Sequence, residues 1–223
     1  MNQTVQQGAR KRGRPAIGEE AVDDAACLHA ALTAFADKGY DGTSVREVAR
    51  TLGISHGLLN AKFGSKRALW EAAVGYGMDR LHGHMSTLAE AHADESDIVG
   101  RMRIACRNFV VGLAEVPAII QLMNVEGATP GDRLAFIAER FFRGRTWPIQ
   151  SLLQAGQAQG VFRPVAVAVP FTLLAHGAGA LIALRPLVEA TGGEGAPAPF
   201  DHAMEAAELI VRGLLVDGGS HGA

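Results

Sequence analysis

Residues 37–69, DKGYDGTSVREVARTLGISHGLLNAKFGSKRAL, constrain the fold of this chain more than any other stretch. Two short helical patterns flank a glycine turn. Ser44, Val45, Val48 and Ala49 open the first, and Leu52 and Gly53 close it. Ser55 opens the second, which buries Leu59 and Phe63 at i, i+4 spacing. Ser44-x-x-Glu47 reads as a capping box, in which hydroxyl and carboxylate each satisfy an amide that the first helical turn leaves open. Gly53 stands where a helix ends in the left-handed region, and Ser55 is placed to cap the helix that follows. Helix, tight glycine-containing turn, helix is the helix-turn-helix unit, whose second helix enters the DNA major groove.

The remaining patterns are helical, without a period-two run or a hairpin signal, so the chain is expected to be all-α with about nine helices. A first helix is expected over about Glu20–Lys38, with Ala25, Leu28, Leu32 and Phe35 on one face and Gly39 ending it. Tyr40 should anchor the next two helices. Ser65 caps a fourth helix that reaches about His84. Its glycines, Gly75, Gly77 and Gly83, imply tight packing or a bend. Ile98, Met102, Ala105, Phe109 and Leu113 stripe a further helix. Others are marked by Pro117–Met123, by Leu134–Phe142 with an interruption near Pro148 and a resumption over Leu152–Gly160, by about 165–188, and by a last one bearing Met204, Ala207, Val211 and Leu214. The expected division is a basic arm over 1–18, a helix-turn-helix domain over 19–66, a larger helical domain over 67–217 and a tail over 218–223.

Net charge is only −2, yet it is unevenly spread. Residues 1–70 hold ten Lys/Arg against seven Asp/Glu, and the remainder holds eleven against sixteen. A basic front on an acidic body fits a chain that touches phosphate at one end. Arg12-Gly13-Arg14-Pro15, inside the run from Arg10, resembles the core of an AT-hook. It suggests an arm whose arginines enter the narrow minor groove. Cys27 and Cys106 sit in apolar helical patterns and read as small buried hydrophobes in a reducing compartment. The N-terminus is polar and then basic, with no signal-peptide core, so a cytoplasmic location is expected. Between Arg163 and Arg185 lies a 21-residue apolar run, long enough to span a bilayer. Its Pro164, Pro170, His176 and many small residues favour a packed helix in a water-soluble assembly, so no membrane partner is expected.

No H-E-x-x-H, P-loop, G-x-G-x-x-G or G-x-S-x-G motif occurs. His82 and His84 are two residues apart and point to different helix faces, unlike an i, i+4 chelating pair. The expectation is therefore a non-enzyme with no metal and no cofactor.

The runs Gly39–Ala49, Gly53–Gly57 and Phe63–Leu69, with their caps, glycines and trailing F-G-S-K, resemble the DNA-binding domain of the tetracycline-repressor (TetR) family. That resemblance implies a homodimeric transcription regulator, most often a repressor, bound to a palindromic operator in double-stranded DNA. It also implies a C-terminal ligand-binding and dimerisation domain, whose small-molecule effector respaces the two recognition helices. The sequence departs from the family pattern at two places. Asn60 replaces the usual aromatic after the buried Leu, and Lys62 replaces a His before the Phe. An adenine edge is within the chemistry of Asn60, and phosphate within that of Lys62. By helix position His56, Gly57, Asn60 and Ala61 should face base edges, with Leu58 near a thymine methyl. Thr43, Ser44, Arg46, Ser55 and Lys66 should hold the backbone, with Arg12 and Arg14 from the arm.

In the family layout the cavity lies among the middle helices. Expected walls are Met102, Phe109, Met123, Phe142 and Trp147, with Asn108, Gln121, Asn124 and His176 as polar fixers. The paucity of charge on these faces points to an apolar or aromatic effector. Gly177, Ala180, Leu181 and Leu184, against Met204, Val211 and Leu214, should form a four-helix bundle across the two-fold axis. The alternative is a small-molecule-binding or interaction module of the same fold with weakened operator recognition.

Overall fold

The computed structural model describes residues 23–91, 97–144, 146–191 and 198–216. The basic arm with Arg12 and Arg14 lies outside the described residues. Among the described residues eleven helices form, and the only β-type pairing is an isolated antiparallel bridge between Phe162 and Leu215.

Helix α1 (Asp24–Gly42) buries Leu32 and Phe35 of the expected stripe together with Cys27 and Ala31, leaves Ala25 and Leu28 half-buried, and kinks at Gly39, whose φ is 68°. Thr43 and Ser44 separate it from α2 (Val45–Thr51), and a turn over 52–55 leads on to α3 (His56–Phe63). Between α2 and α3 the Ile54 amide donates to the Ala49 carbonyl at 3.0 Å and the Gly53 amide to that of Arg50 at 3.1 Å. This is a Schellman closure, made possible by Gly53 at φ 68°. Ser55 caps α3 by accepting from the Leu58 amide at 3.1 Å, and Ser65 caps the next helix through Ala68 at 3.1 Å. The expected capping box does not form. Ser44 stands at the N-cap without a side-chain bond, and the Glu47 carboxylate pairs with Lys38 at 3.0 Å.

Helix α4 (Lys66–Ala91) begins beside α3 and runs into the body, against α1 and against α5 (Ile98–Glu115). Of its three interior glycines only Gly77 is a close approach. A Cβ there would lie 2.8 Å from Leu32 and 3.1 Å from Ile119, whereas Gly75 and Gly83 face open space. Next come α6 (Pro117–Gly127) and α7, which runs from Asp132–Ile137 into a π-helical turn, Ala138–Phe142. Helix α8 is Pro148–Ala158. The apolar run becomes α9 (Ala168–Ala183), with a π-helical turn at Leu173–Ala178, and α10 (Arg185–Thr191), bent from it by 72°. The single helix expected over about 165–188 is thus broken at Leu184. Pro186 has no amide for the Ile182 carbonyl and disfavours helical geometry in the residue before it. Among the described residues no single helix is long and apolar enough to cross a membrane; the bent pairs α5–α6 and α9–α10 are both long and apolar enough only when joined.

Helix α11 (Pro199–Leu214) packs on α5 and α9 through Ala203, Ala207, Val211 and Leu214. Val211 is 0% exposed and Leu214 5%, so both belong to the core of their own chain and not to a surface open to a partner. Leu184, Leu187 and Leu209, by contrast, are more than half exposed.

Candidate functional site

On α3 the fold divides the side chains as a DNA-reading helix requires. Leu59 is fully buried and Phe63 half-buried against the core, while His56, Gly57, Asn60, Ala61 and Lys62 are exposed. Leu58 lies between the two sets, half-buried. Two neighbours of this face are already engaged within the chain. The Lys62 ammonium bonds to the Asp24 carboxylate at the start of α1, and this bond holds its pKa above the usual lysine value. The Lys66 ammonium donates to the Asp41 carbonyl at 3.3 Å and sits 4.7 Å from the centre of the Tyr40 ring.

Arg46 is exposed beside this face and Ser44 half-buried. Thr43 is a correction to the expected backbone contacts. It is 3% exposed, with its hydroxyl 2.9 Å from the Ala34 carbonyl and 2.7 Å from that of Gly39. The hydroxyl fastens the turn to α1, where a phosphate could not reach it. Tyr40 packs against the core that also holds Val48 and Ala49 of α2 and Leu59 of α3. It stacks on Phe35 of α1 (5.9 Å, 11°) and meets Trp70 of α4 edge-on (6.2 Å, 88°).

Some distance along α4, a cavity of about 210 Å³ opens among α4, α5, α6, α7 and α9. Its walls include Met78, Leu81, Phe109, Leu113, Ile120, Met123, Phe142, Trp147 and Phe171, with no Lys, Arg, Asp or Glu on them. Aromatic rings close one side. Phe142 stacks on Trp147 at 5.8 Å and 26°, while Phe171 approaches Trp147 at 5.9 Å, Phe142 at 6.2 Å and Phe109 at 5.5 Å. Both π-helical turns contribute to the walls: Ala138 and Phe142 from α7, Ala175 and His176 from α9. Such turns widen a helix locally and recur at binding sites. His176 is exposed, which puts it at the cavity mouth.

Residues 28–73 match the family model of the bacterial regulatory proteins of the tetR family. The chain carries the tetR-family DNA-binding domain. Solved structures extend the likeness to the body. A tetR-family regulatory protein from Rhodococcus RHA1 is 21% identical, with 87% of this chain and 100% of that chain covered and a TM-score of 0.65. For the TetR family regulator PfmR from Thermus thermophilus the values are 24%, 83%, 97% and 0.55. For AibR, solved with isovaleryl coenzyme A and operator DNA, they are 22%, 85%, 96% and 0.62. At these identities the body shares their fold. No curated protein matches the chain.

Within this tetR-type frame the sequence placed five of its six cavity residues on the wall: Phe109, Met123, Phe142, Trp147 and His176. Met102 is the exception. It is fully buried away from the cavity, on the face of α5 that forms the general core. Of the expected polar fixers only His176 lines the cavity: Asn108 is buried off it, and Gln121 and Asn124 are exposed. Missed were Met78 and Leu81, whose helix was placed in the larger domain but given no cavity face, and Phe171, hidden in an apolar run without periodicity. Burial pushes the Cys106 thiol up to about 12, so that side chain stays protonated and unreactive at neutral pH. Among the described residues no group of three His, Cys, Asp or Glu could hold a metal ion.

Proposed function

We propose that the chain is a ligand-responsive, DNA-binding transcriptional regulator, a homodimeric repressor that a small apolar or aromatic effector releases from a palindromic operator. The observation that carries this reading is the course of α4. It starts at Lys66, directly behind the DNA-facing helix, and supplies Met78 and Leu81 to the cavity wall. One rigid element therefore touches both the reading helix and the pocket, as a coupling between two sites requires.

Asn60 and His56 read base edges, and Arg46, Lys62 and Lys66 hold phosphates. The Lys62–Asp24 bond then exchanges for a phosphate contact on binding. The uncharged, aromatic wall favours a neutral ring compound. It has no cation for the phosphates of a coenzyme A ester of the kind seen with AibR. A second copy would cover Leu184, Leu187 and Leu209, with Gly177, Ala180, Leu181 and Met204 beside them, allowing close approach of the backbones. The test is a titration of the purified protein against its own upstream DNA with and without 2-acetonaphthone, a neutral bicyclic aryl ketone. Tight binding weakened by the ketone is expected. Sequence-independent binding that the ketone leaves unchanged would overturn the proposal.

A further inference from the structure

The turn between α6 and α7 is closed by an ion pair that neither the DNA-facing helix nor the cavity wall uses, its carboxylate buried and its guanidinium one-third exposed. Glu126, at the end of α6, is 6% exposed, and Arg133 Nε donates to its two oxygens at 2.9 and 2.8 Å. Replacing a buried pair with apolar side chains often leaves stability unchanged or improved, so stability alone is a weak reason for this one. What the pair does achieve is a place for the guanidinium. Glu126 holds Arg133 4.6 Å from the centre of the Tyr40 ring, within the range of a cation–π contact.

Tyr40 is the ring at which α1 meets α4. It stacks on Phe35 of α1, meets Trp70 of α4, and carries the Lys66 ammonium as a second cation. Arg67 ties the same turn down a second time. Its Nη2 donates to the Asp132 carbonyl at 3.5 Å, and its guanidinium lies 5.2 Å from Trp70 and 5.8 Å from Phe136. The other face of this turn is the cavity wall. Gly127, next to Glu126, and Leu134, next to Arg133, both line the pocket.

We propose that Arg133 is a positioning residue which, gripped by Glu126, fastens Tyr40, and with it the junction of α1 and α4 on which α2 and α3 pack, to the turn that forms the cavity wall. This rests on the reading of the chain as a regulator with a cavity effector. A molecule that displaces Gly127 or Leu134 then moves Arg133, and Arg133 moves the ring holding α1 to α4. The coupling runs through one ion pair and one ring, not through α4 alone.

Hydrogen exchange of the full chain, followed by mass spectrometry, tests this without an effector. Arg133→Met and Glu126→Gln should each speed exchange at 39–44 by roughly 3- to 30-fold, the span of one cation–π contact. Exchange in α8 should stay within about twofold, that helix lying off the pathway. Combining the two changes should add nothing, because they break one unit. Arg133→Lys keeps a cation and should be intermediate, which covers the case in which Arg133→Met folds poorly. The swapped pair, Glu126→Arg with Arg133→Glu, is decisive. It restores the ion pair but withdraws the cation held at position 133, so melting temperature should recover while exchange at 39–44 stays fast. Recovery of protection at 39–44 in the swapped pair, unchanged exchange in Arg133→Met, or a uniform rise along the chain would overturn the proposal. Absence of operator binding by the wild type, with this exchange pattern intact, would instead overturn the functional reading alone.

Discussion

Filling the cavity from its wall should imitate an occupant permanently. Ala175 lines the pocket on the π-helical turn of α9, half-buried, and Ala175→Phe adds a ring at that point. A benzene-sized group occupies a cavity of roughly 150 Å³. Of the 210 Å³ present, this leaves about 60 Å³, room for about two waters and no second ring. At about 24 cal/mol per Å³ the filling is worth at most ~3.6 kcal/mol. The open mouth and the strain of a new rotamer, ~1–3 kcal/mol, reduce this to a net of about 1 kcal/mol. The melting temperature should therefore rise by about 2–4 °C. Binding of 2-acetonaphthone, measured by calorimetry, should weaken by roughly 10- to 150-fold, the loss of ~1.5–3 kcal/mol of aromatic burial. Affinity for the ketone unchanged from wild type would refute the assignment of this cavity as the binding site. A clear fall in melting temperature would show that the space is not available to a ring.

The DNA face and the core yield further expectations. Asn60→Ala should relax base preference at one operator position. Lys62→Ala should weaken all sequences alike and reduce the salt slope by about one. Equal effects of the two on selected and random duplexes would show that Asn60 reads no base. Gly156→Ala would set a Cβ 2.0 Å from the Phe162 ring, and urea unfolding should report a loss of ~1–3 kcal/mol; an unchanged midpoint would mean that this contact is not present. Cys106 adds a pH dependence. Its thiol keeps its proton in the folded state up to about 12 but loses it near the ordinary thiol value once unfolded. The folded state thus holds the extra proton, and stability should fall between roughly pH 9 and 12. Cys106→Ala should show a shallower decline in that window, and an identical decline would refute the assignment.

The parts of this molecule that were legible in the sequence are those settled within a few residues. The Schellman closure at Gly53 and the caps of Ser55 and Ser65 need only their immediate neighbours, and the structure has all three. The capping box at Ser44 failed although it too is local; the Glu47 carboxylate pairs with Lys38, nine positions earlier across the fold. Thr43 failed likewise, its hydroxyl turning inward to α1. On α11 the periodic face was right but its destination was not. Apolar spacing marks a buried face without saying whether the same chain or a second copy buries it. Pro186 signalled the break at Leu184 and was outweighed by the unbroken hydropathy around it. The Glu126–Arg133 pair and its reach to Tyr40 had no signature, since the contact joins residues almost a hundred positions apart.

Selection of binding sites from random double-stranded DNA by the purified wild-type chain, followed by sequencing, tests the central claim most directly. The account predicts enrichment of a two-fold symmetric sequence, with half-sites spaced for two recognition helices and with preference at one position per half-site lost in Asn60→Ala. No enriched sequence, or one without two-fold symmetry, would contradict it.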